Sequence, residues 1–104
     1  MKHIAIVLTS AALALGTQAH ASTAPEQLAK DAGCLSCHSV STKIVGPAYK
    51  DIAAKNKGQA DAADRLAQSV RNGSKGNWGR IPMPAHGSLS DADIKTLVKW
   101  VLAQ

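Results

Sequence analysis

The sequence contains no phenylalanine, and its aromatic side chains come to three: Tyr49, Trp78 and Trp100. A chain of 104 residues this poor in large apolar rings has little with which to build a self-sufficient core. Small domains of that kind are normally completed by disulfides, a metal or a cofactor. Disulfides are excluded as the main staple, because the two cysteines, Cys34 and Cys37, would close a loop too small to restrict the unfolded chain much. There is no run of Lys or Arg, so the formal net charge of +5 describes a dispersed basic surface, and nucleic acid is not an expected partner. No apolar run reaches the roughly 20 residues a spanning helix needs, so no stable membrane insertion is expected. Strand-like alternation, internal repeats and low-complexity tracts are also missing.

What is present begins with an address. Lys2 gives a positive start, Ile4 to Leu15 form a short apolar stretch broken by Thr9 and Ser10, and Ala19-His20-Ala21 fits a small-x-small cleavage site. The reading is a secretory signal peptide over 1–21, removed on export to the periplasm, and one soluble domain over 22–104. Only Lys2 among the charged residues falls in the leader, so the mature domain stays basic.

Four helical segments are expected in that domain. The first starts near Thr23 with Pro25 and Glu26 in its first turn, carries Leu28 and Ala32 on one face, and stops at Gly33. The second runs from Pro47 through Tyr49, Ile52 and Ala53 until Asn56-Lys57-Gly58 ends it. The third covers about Ala60 to Val70, with Ala63, Leu66, Ala67 and Val70 at helical spacing, and Asn72-Gly73 beyond it. The fourth follows Ser90-Asp91-Ala92-Asp93, a capping box with Asp for Glu, and aligns Ile94, Leu97, Val98 and Val101. Between the last two, Gly73 to Leu89 holds four Gly, two Pro and no helical period. Loops that long in compact domains are usually functional.

The chemistry concentrates at Cys34-Leu35-Ser36-Cys37-His38, a C-x-x-C-H motif. Two thiols three residues apart on one turn can each form a thioether to the two vinyl groups of a single porphyrin, and the adjacent imidazole then lies under the iron. Two other readings compete. A thiol–disulfide centre would use the cysteines but leave His38 without a task. A structural zinc site needs four ligands, and Cys34, Cys37 with His38 or His86 make a poor tetrahedron.

With haem c attached through Cys34 and Cys37 and His38 as the proximal ligand, a second axial ligand must come from the distant loop. Outside the leader the chain has one methionine, Met83, and one further histidine, His86. A lone Met is ordinarily a core gap-filler. Ile81-Pro82-Met83-Pro84, however, flanks it with two prolines that hold the backbone extended, and Met/His ligation is a standard haem arrangement. His86 remains the alternative ligand, its ordinary place being a rim or surface position.

The order Cys34–His38, Val45-Gly46-Pro47-Ala48-Tyr49-Lys50, Asn72-Gly73-Ser74, Trp78-Gly79, Ile81-Pro82-Met83-Pro84 and Lys99-Trp100-Val101-Leu102 resembles the small bacterial class I cytochromes c of the c-551 type. The resemblance covers essentially the whole domain. It implies an all-α small cytochrome c fold, about four helices wrapped around one covalently bound haem. It also implies that the Pro47 carbonyl accepts a hydrogen bond from the ring of His38, orienting it, and that the Trp78 indole donates to a haem propionate. The sequence departs from the pattern at Ser69, where some relatives carry a basic residue, and at His86, where some carry Asn.

The expected function is single-electron transfer between respiratory redox proteins, not enzymatic turnover, because both axial positions are filled by the protein. Sulfur ligation and haem burial favour a raised potential. Donors and acceptors, among them reductases, peroxidases and oxidases, would dock transiently, with Lys43, Lys50 and Lys75 as candidate contacts. No apolar stripe demands a dimer, and a monomer is expected. A haem enzyme or sensor with an open iron, and a haem-free thiol oxidoreductase, are the readings outside this class.

Overall fold

Proline at the first helical position, where the missing N–H is no loss, opens the first helix, α1 (Pro25–Asp31). The structure is a computed structural model that describes residue 16 and residues 23–104; the expected signal peptide and Ser22 otherwise lie outside the described residues. Gly33, at φ +80°, turns the chain out of α1 directly into a short 3-10 turn, Cys34–Ser36. Positive φ strains any side-chain-bearing residue, so this one glycine both ends the helix and starts the motif. Three further helices follow: α2 (Tyr49–Lys55), α3 (Ala62–Asn72) and α4 (Asp91–Leu102). Among the described residues the only β pairing is a single bridge between Ser74 and Met83.

The all-α expectation holds, with small shifts that have local causes. Helix α2 begins at Tyr49 and not at Pro47, because Ala48 is still extended (φ −64°, ψ 144°). Its first free N–H groups are satisfied from outside the helix. Tyr49 N donates to Ser39 O at 2.9 Å and Lys50 N to Val40 O at 3.0 Å, which caps the helix with the backbone that follows the C-x-x-C-H motif. Helix α3 lies about two residues later than its periodicity suggested, and its buried position is Ala62, with Ala63 exposed. In α1 the buried residue is Ala29, while Leu28 and Ala32 are half-buried.

Helix α4 is the hub, packing against α1, α2 and α3. Ser90 caps it as the sequence indicated: the Oγ accepts from Asp93 N at 3.1 Å, a contact worth about 1 kcal/mol. Behind the cap, Ile94 is fully buried and Leu97 and Val98 nearly so. A fully buried side chain of that size contributes about 1.5–3 kcal/mol by its removal from water. The hub therefore holds the three other helices around a space that none of them fills. No helix among the described residues is long and apolar enough to cross a membrane.

Candidate functional site

That space is a cavity of about 700 Å³, within the usual range for a cofactor site. Cys34, Cys37 and His38 line it together with Pro47, Trp78 and Met83, so every site residue expected from the sequence reaches one cavity. Apolar side chains from α3, α4 and the long loop, among them Leu66, Val70, Val98 and Ile81, supply much of the remaining wall.

The 3-10 turn sets the first three residues. Cys37 N and His38 N both donate to Cys34 O, at 3.2 and 2.9 Å, which turns the two thiols and the imidazole within one loop of chain. Both thiols are free. Burial pushes the Cys34 thiol up from its ordinary value, against smaller opposing hydrogen-bond contributions. That direction is opposite to the depression that activates an exchange cysteine. Among the described residues no group of three or more His, Cys, Asp or Glu comes together to hold a metal ion.

His38 is fixed on three sides. Its Nδ1 lies 2.7 Å from the Pro47 carbonyl oxygen; a carbonyl can only accept, so Nδ1 carries the proton and Nε2 keeps its lone pair. The Tyr49 ring stacks on it, centroids 5.1 Å apart and planes 20° from parallel. Gly46 passes close on another side: a Cβ built there would stand 2.7 Å from His38 Cε1, so no other residue fits without moving the ring. Gly46 N in turn donates to Cys37 O at 2.7 Å. Tyr49 itself is buried and meets Trp100 edge-on at 5.3 Å. Burial, and after it the charge of a Cys34 thiolate, push its phenol well above the ordinary tyrosine value.

Met83 is held by a different device. Ser74 and Met83 exchange a pair of backbone hydrogen bonds, 3.1 and 2.8 Å, which ties the methionine's backbone to the start of the loop. Gly73 makes the approach possible: it has φ +78°, and a Cβ there would stand 2.7 Å from Met83 O. His86 N donates to Val70 O at 2.8 Å and anchors the far end to α3. His86 is not a surface residue. It is half-buried and lines the cavity, and its Nδ1 is buried without a partner.

Trp78 is partly exposed, with Lys55 Nζ 4.4 Å above its ring in a cation–π contact. The same ammonium donates to Asn77 O at 3.3 Å. The sequence reading did not reach this prop, nor the contacts of Gly46, Gly73 and Tyr49. Gly46 and Tyr49 flank Pro47 in a stretch already singled out, and their closeness to the motif's histidine was the available signal.

The donor set fits an iron porphyrin. Two free thiols sit three residues apart, an imidazole has its Nδ1 committed to a carbonyl, and the methionine Met83 lines the same largely apolar cavity.

Comparison with known proteins agrees. The family model for cytochrome c matches residues 23–104. Cytochrome c-551 of Pseudomonas aeruginosa is 50% identical over 101 residues, covering 97% of this chain and 93% of that protein. Cytochrome c-552 of Nitrosomonas europaea is 53% identical over 79 residues, 76% of this chain and 77% of the relative. The crystal structure of Nitrosomonas europaea cytochrome c552 superposes with a TM-score of 0.73 at 52% identity, over 75% of this chain and 96% of that one. The chain thus belongs to the cytochrome c family, as a small class I electron carrier of the c-551 type with covalently bound haem c and no enzymatic turnover.

Proposed function

We propose that the chain is exported to the periplasm with loss of residues 1–21. There, as the mature domain 22–104, it passes single electrons between respiratory redox proteins with His38 and Met83 as axial ligands. The observation that carries this reading is that one cavity is lined at once by Cys34, Cys37, His38 and, from a separate loop, Met83. Haem c, when bound, supplies the one-electron iron couple. The chain's own residues do the rest. Cys34 and Cys37 tether the porphyrin, while the Pro47 carbonyl orients His38 and raises its basicity as a ligand. Met83 sulfur favours the ferrous state, and the apolar wall disfavours the extra ferric charge. With haem bound, His38 and Met83 would hold the iron between them and would leave no place on it for a substrate.

Exposed Lys43, Lys50 and Lys75, with exposed Ile44, Val45 and Ile81, supply the mixed charged and apolar surface that a brief encounter with an acidic redox protein uses. The domain works as a monomer.

His86 offers a second reading, since its unpartnered Nδ1 shares the cavity with Met83. The deciding experiment is a visible spectrum with intact mass on the exported protein. A mass raised by one haem, with a weak long-wavelength band of methionine–ferric ligation that disappears in Met83→Ala, is expected. Ligation unchanged in that variant assigns the position to His86, and a colourless product with unmodified thiols ends the proposal.

A further inference from the structure

A porphyrin tethered by its vinyl groups at Cys34 and Cys37 carries its two propionates on the other side of the ring. Two carboxylates entering a largely apolar cavity need donors, and cationic ones bind them most strongly. One group of polar side chains on the wall is tied into a hydrogen-bonded network at the junction of α2 and α3. Its centre is Arg65, in the first turn of α3, which lines the cavity beside Leu66, Ser69 and Val70.

The guanidinium is unusually well held for a partly exposed side chain. Nε donates to Asp61 Oδ2 at 2.9 Å. Nη2 donates to Asn56 Oδ1 at 2.9 Å and to Gln59 Oε1 at 2.6 Å. Asn56 is the one buried polar residue among the described residues, fixed from behind by its own Nδ2 bond to Ile52 O at 2.8 Å. Arginine has five N–H donors. Three are used here, and the two on Nη1 meet no protein acceptor among the described residues. Two lysines also line the wall: Lys55, whose ammonium is turned onto the Trp78 ring and the Asn77 carbonyl, and Lys75, an exposed residue of the long loop. One turn beyond Arg65 on the same face, Ser69 also lines the cavity, with its hydroxyl bonded back to Arg65 O at 3.2 Å.

We propose that Arg65 supplies a charged donor to the haem carboxylates in this chain, in addition to the Trp78 indole, its Nη1 facing them while Asn56, Gln59 and Asp61 clamp the rest of the guanidinium. This rests on the haem reading above and extends it to a residue outside the attachment motif and the axial pair. A positive charge fixed near the porphyrin disfavours the ferric state, which carries one more positive charge than the ferrous. Arg65 therefore raises the potential as well as binding the cofactor.

The test uses the holoprotein and three variants: Arg65→Gln, Arg65→Lys, and Arg71→Gln as a control. Arg71 lies on the same helix, pairs with Asp91 and does not line the cavity. Midpoint potentials are measured at one pH and low ionic strength, on protein whose mass and methionine–iron band match the parent. Arg65→Gln is expected to lower the potential, Arg65→Lys to keep most of it, and Arg71→Gln to leave it nearly unmoved. Equal shifts in the two glutamine variants would overturn the proposal, as would a loss of stability in Arg65→Gln with the potential unchanged. A crystal structure of the parent holoprotein serves if the variants fail to mature. Nη1 within about 3 Å of a propionate oxygen supports the assignment, and Nη1 turned to solvent refutes it. A parent protein without haem or without the methionine band refutes the earlier reading instead, so the two failures are told apart.

Discussion

The two faces of the cavity are built on opposite plans. On the His38 side most contacts are local: the turn from Gly33, the two bonds to Cys34 O, Gly46 against the ring and the Pro47 carbonyl all come from one stretch of fifteen residues, 33–47, and the Tyr49–Trp100 stack is the contact that reaches farther. On the Met83 side the ligand arrives on a loop that leaves α3 at Gly73 and returns to α4 at Ser90, stapled by one pair of backbone bonds and the His86–Val70 contact. Local contacts close small loops and lose little chain entropy, whereas the long loop must lose more for fewer bonds. The sulfur side is accordingly the one that opens first, and the imidazole side the one that stays.

The largest effect expected of breaking this asymmetry comes from Met83→Ala. Its potential should fall by tenths of a volt, within the ~0.8 V span that axial ligation commands, and the iron should then take up added imidazole or azide. Potentiometry and ligand titration check both, while thioether attachment should persist, because the His38 side is independent.

Next in size is the pair Gly73→Ala and Gly46→Ala. At Gly73 the new methyl meets the Met83 carbonyl and the backbone also suffers a positive φ, a conformational cost of about 1–3 kcal/mol before the clash is added. The methionine band should be lost at lower denaturant, with the haem still attached. At Gly46 the clash is with the His38 ring itself, so the yield of mature haem protein, read by absorbance per polypeptide, should drop first. If the two variants fail in the same way, the two faces are not independent.

A smaller effect is expected in hydrogen exchange. The Ser74 and Met83 amides should exchange faster than the His38 and Gly46 amides under native conditions, since local opening exposes the first pair without unfolding the second. Ser90→Ala is the mildest test and the control. Losing the α4 cap should cost about 1 kcal/mol of global stability, seen as a lower denaturation midpoint, and should leave the order of amide exchange unchanged.

The same asymmetry explains what could be read from the sequence. The motif, the α4 cap at Ser90 and the Gly33 stop are short-range features, and each stands where its residues indicated. The start of α2 was misplaced because its first amides bond to Ser39 and Val40, a contact no periodicity encodes. On α3 the expected stripe holds at Leu66, Ala67 and Val70, which are half-buried, while the buried alanine is Ala62 and not Ala63; Leu66 and Val70 line the cavity. The Arg65 cluster was out of reach for a related reason. Asn56 stands in the sequence only as part of a helix end, Gln59, Asp61 and Arg65 carry no motif, and the bend between α2 and α3 brings the four together at one guanidinium.

One consequence follows from the stacked rings. His38 rests on Tyr49, and Tyr49 meets Trp100, so the imidazole beside the tether is braced by an indole sixty-odd positions downstream. Rocking of that imidazole would have to displace a column rooted in the hub helix. Rigidity at the metal thus rests on α4, and a change near Trp100 that never touches the cavity can still loosen the ligand, adding to the rearrangement the protein must undergo each time it gains or gives up an electron.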